Sequence, residues 1–291
     1  MKRLMPLLVF GATCGAYAQT PDLALKLDLN LAYTQSSGGK TRFRWYDPMG
    51  RHSTVGVGMN LEPGYYILVT ERLGRIDSDA DREQIDEAYL EDPGVWRMGR
   101  QYLPFGSRNM IREAALAARL DTALFTKAIP VKAAIFDNGA KSLRGAMLRL
   151  GGNVGLTLAY GEHIGAASTS LGQIRDPQDA PGKGAGYRIA AGMDVTKQVG
   201  PSLLLLEVVA LRRPQRAGDR SEDFSDLGLR LNSQDGEVKT TIAWTRAWRT
   251  RDDFYRVESE YKITKNLALK GFLRFQRGTW RDIAIGLRVR M

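Results

Sequence analysis

Apolar side chains recur at every second position through most of this chain, and that two-residue period constrains its fold more than any other feature. From Ile283 to Met291 the odd positions are Ile283, Ile285, Leu287, Val289 and Met291, and the even ones are Ala284, Gly286, Arg288 and Arg290. Successive side chains of a strand point to opposite faces, so such a segment has one oily face and one wet, cationic face. Leu23, Leu25, Leu27, Leu29, Leu31 and Tyr33 alternate in the same way with Ala24, Lys26, Asp28, Asn30, Ala32 and Thr34. That predicts a two-faced strand of about eleven residues, enough to cross a bilayer at a tilt of ~45°. The rhythm returns around Val154–Tyr160, Tyr187–Val195, Leu227–Leu231, Val257–Ile263 and Leu267–Phe275.

Turn residues punctuate the rhythm. Glu62-Pro63-Gly64, Asp92-Pro93-Gly94, Gly151-Gly152-Asn153, Gln234-Asp235-Gly236 and Lys265-Asn266 each join two alternating runs. Longer polar connections are expected at 35–51, 74–83, 103–113, 163–184 and 213–222. Short turns at one end and long loops at the other is the layout of a transmembrane β-barrel. The expected fold is therefore all-β, an antiparallel barrel of about sixteen strands, with fourteen the next best count. Arg112–Leu120 is rich in helix formers; a strand with Ala114, Leu116, Ala118 and Leu120 on one face is favoured over a loop helix.

The first 18 residues read as a secretory leader: Lys2 and Arg3, an apolar run, then Ala16-Tyr17-Ala18 before a cleavage point. Residues 19–291 would then form one outer-membrane barrel domain. The only cysteine, Cys14, lies in the leader behind a poor lipobox, so disulfides and thiolate metal sites are not expected in the mature chain. Setting aside Lys2 and Arg3 leaves 40 of the 42 basic residues against 32 acidic ones, a net charge of +8. Export argues against nucleic acid as the partner of that charge and leaves an acidic surface or an anion pathway.

The terminal strand resembles the closing strand of bacterial outer-membrane barrels, which usually end in Phe or Trp where this chain has Met291. The stretch Ile85–Gly106 resembles a hairpin of the phosphate-selective porin O/P type, in Asp86 or Glu87, Ala88, Tyr89, Gly99, Pro104, Phe105 and Gly106. The resemblance implies a sixteen-stranded, passively conducting porin in the outer membrane, among lipids and small solutes, delivered by the barrel-assembly machinery. It also implies a homotrimer.

A channel's lining sets which ions enter it. On the predicted faces the inward basic residues are Lys26, Lys132, Arg149, Arg188, Arg230, Lys239, Arg256, Lys262, Lys270, Arg274, Arg288 and Arg290. The inward acids are Asp28, Asp194, Glu207, Glu258 and Glu260. Twelve against five favours anions, unless cross-strand ion pairs cancel the excess. Loops 35–51, with Lys40, Arg42 and Arg44, and 163–184 are candidates to fold inward and narrow the pore. Tyr33, Tyr65, Tyr66, Trp96, Tyr102, Tyr160, Trp244, Trp248, Tyr255, Tyr261 and Trp280 are candidates for interfacial girdles. Asp77, Asp79 and Asp81 start like a calcium loop but lack its later Gly and Glu. The reading that results is a porin, with no enzymatic step and no cofactor. The alternatives are an outer-membrane lipid-modifying hydrolase built around His52 or His163, or a non-conducting structural or binding barrel.

Overall fold

The computed structural model describes residues 22–291 except 48–50, 62–63, 75–82, 126–127, 138–143, 166–186, 213–220 and 233–235. The leader, the Asp77–Asp81 run, most of the 163–184 loop and parts of two predicted turns lie outside the described residues. The described residues form nineteen strands. They are β1 (Leu23–Ser36), β2 (Thr41–Arg44), β3 (Tyr46–Asp47), β4 (Arg51–His52), β5 (Thr54–Leu61), β6 (Tyr65–Arg72), β7 (Ile85–Asp92), β8 (Trp96–Tyr102), β9 (Ala114–Leu124) and β10 (Ile129–Asp137). There follow β11 (Gly145–Gly151), β12 (Val154–Ile164), β13 (Tyr187–Val199), β14 (Ser202–Arg212), β15 (Ser221–Asn232), β16 (Val238–Ala247), β17 (Asp252–Lys262), β18 (Leu267–Gln276) and β19 (Thr279–Arg290).

From β5 onward each strand pairs antiparallel with the next, and β19 returns to β1 in register from Asp28↔Arg290 to Ser36↔Asp282. The other edge of β1 is shared. Leu23–Asp28 pair with β5, and Ala32–Gln35 pair with β2. Together β2 and β5 make one stave, so the barrel closes with sixteen. Closure satisfies every strand edge, which a bilayer core demands. Between the two half-staves the chain leaves the wall through β3 and β4, and Ser53 fills the gap. Its hydroxyl accepts from the Asn30 amide (2.7 Å) and donates to the Asn30 carbonyl (3.0 Å).

The alternation sorts side chains as the sequence predicts. Tyr33, Leu158 and Ile285 stand 49%, 62% and 58% exposed on the outer face, while their neighbours Thr34, Thr157 and Ala284 are buried within. This exposed apolar belt is what lipid tails would cover. Tyr160, Trp248, Tyr255, Tyr261 and Trp280 are also exposed. Tyr66 and Tyr102 are not girdle residues. Tyr66 packs inward over Gly58 toward Tyr89, and the buried Tyr102 donates to Asp86 at 2.7 Å.

Ala114–Leu124 is a strand, paired on both sides, so cross-strand bonding overrides its helix propensity. Arg112 and Glu113, the first two residues of the expected segment, stay in the preceding loop. The 35–51 segment is not the open loop expected either: β1 runs on to Ser36 and β2 returns beside it.

Candidate functional site

The eleven residues 103–113, between β8 and β9, turn into the barrel. Leu103, Phe105, Met110 and Ile111 are all buried, together with Ala159, Ala190, Val209 and Leu211 of the inner wall. Such side chains cost about 1.5–3 kcal/mol each if left in water, which drives the segment inward. Phe105 sits against Gly192, where a Cβ would lie 2.8 Å from the ring. Gly106 turns at φ 48°, in the left-handed region, with the Glu207 carboxylate where its side chain would be.

Polar bonds hold this strap in place. One Glu207 oxygen accepts from the Ser107 hydroxyl (2.8 Å) and from the amides of Asn109 (3.2 Å) and Met110 (3.1 Å). The Gly106 amide donates to Thr157 at 3.2 Å. The Asn109 side chain donates to Asp226, which also accepts from Thr245 and from Arg256 at 3.3 Å. Glu207 and Asp226 are fully buried, so a buried carboxylate here is held by several donors at once.

Between the strap and the wall of β14–β18 lies a cavity of about 300 Å³. Among the described residues, six arginines line it, Arg51, Arg108, Arg112, Arg230, Arg256 and Arg274, against one carboxylate, Glu258. Strand register gathers the last three. Arg230 faces Thr241 across β15–β16, Thr241 faces Glu258, and Arg256 faces Arg274. Arg256 pairs with Asp226 (3.3 Å) and Glu258 (3.6 Å), and Arg274 with Asp282. Arg51 and Arg230 form no ion pair among the described residues.

The other basic positions predicted from sequence spread along the interior. Lys239, Lys262, Arg288 and Arg290 line a second cavity, of about 210 Å³, beside the short turns, with Glu237 and Glu260. Arg288 pairs with Asp28 (2.5 Å) and Glu260 (3.4 Å), and Arg290 with Asp28 (3.2 Å). Arg149 clasps Asp194 with both terminal nitrogens. Lys132 lies in register between Asp121 and Arg149, and Lys270 beside Glu260. Lys26 approaches Gly58 and Tyr66, and Arg188 is exposed near the start of β13. The structure adds to the five inward acids Asp226 and Asp282, which partly offset Arg256 and Arg274 at the edge of the central cavity; elsewhere Asp28, Asp194 and Glu260 cancel much of the excess.

Sequence reasoning missed Arg51, Arg108 and Arg112, because it placed their segments in outer loops. Among the described residues 103–113 folds inward as a segment, while of 35–51 it is Arg51 that lines the cavity. A signal for it was present: Leu103, Phe105, Met110 and Ile111 are too apolar for a solvated loop.

No protein-family model matches the chain, and no curated protein sequence matches it. Solved structures do. The anion-selective porin from Comamonas acidovorans superposes with a TM-score of 0.61 at 12% identity, covering 93% of this chain and 100% of its own. The outer membrane channel DcaP of Acinetobacter baumannii gives 0.61 at 9%, covering 96% and 100%. Salmonella typhi OmpF, in complex with daunomycin, gives 0.59 at 11%, covering 92% and 97%. The fold is that of the outer-membrane porins. At these identities the likeness carries the barrel and its topology, while the side chains of the cavity are this chain's own.

Proposed function

We propose that this porin-fold barrel is a passive outer-membrane channel for small hydrophilic solutes, with a preference for anions set at the strap. The observation that carries the reading is the central cavity, where six arginines meet a single carboxylate. Cations held at a narrow, partly desolvated passage attract anions more strongly than the same charges in open water. The likeness of Ile85–Gly106 to the phosphate-selective porin O/P type supports the same sign of charge, since that stretch runs into the strap. The similar fold of a porin described as anion-selective also supports it. An assembly of three barrels is part of this proposal, as is the absence of an enzymatic step. Among the described residues, the largest cluster of cations lies inside the barrel and not on the lipid-facing belt, where a lipid-modifying site would meet its substrate.

The test is planar-bilayer recording of the refolded protein in a salt gradient. Stepwise conductance with an anion-selective reversal potential is the expected result. Cation selectivity would keep the channel and overturn the role of the arginines; a folded, inserted barrel without conductance would overturn the channel.

A further inference from the structure

Two leucines stand where a porin's wet interior calls for polar residues. The inward positions of β14 are Leu203, Leu205, Glu207, Val209 and Leu211. The last three are fully buried beneath the strap, and Val209 and Leu211 belong to its apolar core. Leu203 and Leu205 lie outside that core, keep partial exposure, and line the arginine cavity directly. Leu205 faces Gly228 across β14–β15, and the nearest atoms to the place a side chain there would fill are those of Leu205, at 3.8 Å and beyond. Leu203 faces Arg230, so an apolar strip and an arginine share one cross-strand row. Barrel lumens are polar as a rule, and leucines that keep partial exposure beside cations gain further burial if a solute covers them.

We propose that the cavity selects organic monoanions with a short apolar tail, carboxylates of the aliphatic acid kind, over inorganic anions of equal charge. This rests on the channel reading above and names the solute class of that site. The carboxylate would meet Arg230 and Arg256, whose planar guanidinium groups suit a two-oxygen partner. The tail would lie along Leu203 and Leu205, beside Gly228, where no side chain stands in its way. A cavity of about 300 Å³ has room for such a solute; it is the space of roughly ten waters at about 30 Å³ each.

The experiment compares hexanoate, acetate and inorganic phosphate, at about pH 6 where phosphate is mainly the monoanion, as blockers of chloride current through single channels. Hexanoate is expected to half-block at a concentration about tenfold or more below that of acetate, the gain that two buried methylenes supply. In Leu203→Gln/Leu205→Gln, checked for folding by heat-modifiable gel migration, the gap should close to about twofold or less; Leu203→Met/Leu205→Met should keep it. Equal block by hexanoate and acetate in the wild type, or an unchanged gap in the glutamine variant, would overturn the proposal. Tighter block by phosphate than by hexanoate would overturn it in favour of an inorganic oxyanion. Calorimetric titration of hexanoate into the barrel in nanodiscs, against empty nanodiscs, separates the two readings. Binding lost with the glutamines but found in a barrel without conductance would sink the channel and keep the site, whereas no binding would sink the site alone.

Discussion

Arg288 of the last strand holds Asp28 of the first by two bonds, of 2.9 Å from Nε and 2.5 Å from a terminal nitrogen. The pair lies on the inner side of the seam that closes the barrel, and the Arg288 side chain is only 5% exposed. Glu260 and Arg290 complete the cluster, so its charges are matched within the seam.

Replacing Arg288 and Arg290 together by Glu would set two new carboxylates against Asp28 and Glu260. The expected outcome is loss of closure before any change of ion preference, at a cost of about 3–5 kcal/mol, the range found when a buried pair is broken. The midpoint of urea unfolding in lipid vesicles checks it; a folded double variant of wild-type stability would mean that the cluster does not hold the seam. Asp28→Asn is milder, since it leaves Glu260 with Arg288, and should cost about 1–3 kcal/mol.

Glu207→Ala removes the acceptor for Ser107, Asn109 and Met110 at once. Each such bond is worth about 1.5–3 kcal/mol where one partner is charged. The strap should loosen while the wall stays closed. Trypsin should then cut after Arg108 or Arg112 at a rate at least about tenfold above the wild type, read by mass spectrometry of the fragments. Resistance equal to the wild type would show that the apolar anchors suffice alone.

Phe105→Ala attacks those anchors. It empties the recess against Gly192 and should cost about 3–5 kcal/mol, the usual range for a fully buried ring. Single-channel conductance should rise in the molecules that fold, because the strap no longer fills its share of the interior.

Arg256→Gln and Arg274→Gln each remove one cation from the central cavity. Reversal potentials should move toward the cation side, by about two- to fivefold in permeability ratio per residue, the size of one charge interaction of about 1 kcal/mol or less. The wild-type preference should itself shrink between 0.1 M and 1 M salt, as the screening length falls from about 10 Å to about 3 Å. A preference that salt does not touch would point to size and not charge.

Leu158→Arg places a cation in the lipid-facing belt. Folding into vesicles should weaken by about 2–4 kcal/mol, while the same substitution at a loop residue should cost little.

The staves were legible because a period of two is written into every one of them, and a single slip would expose the wrong face of a whole strand. Strand number followed from the same rhythm. The strap was harder to read. Its Pro104-Phe105-Gly106 stood out, yet the partners that receive it, Gly192, Glu207 and Asp226, lie about 90 to 120 residues further along the chain, and their pairing depends on closure. Three of the cavity arginines were found from strand faces. Arg51, Arg108 and Arg112 were not, because non-repeating segments carry no period from which a direction can be read. Ion pairing was legible only where both partners share a strand, as Arg256 and Glu258 do. The clasp of Arg149 on Asp194 crosses the strand that lies between them.

The divided stave has an engineering meaning. Its two halves, β2 and β5, are each anchored on β1 by their own ladder, and Ser53 bridges the space between. What the chain does from Trp45 to His52 is thus uncoupled from the continuity of the wall. A longer or differently charged excursion spliced there is expected to leave the register of the other strands as it is, and Arg51 gives it access to the cavity. The barrel carries a socket in its side, open to exchange while the cylinder stays shut.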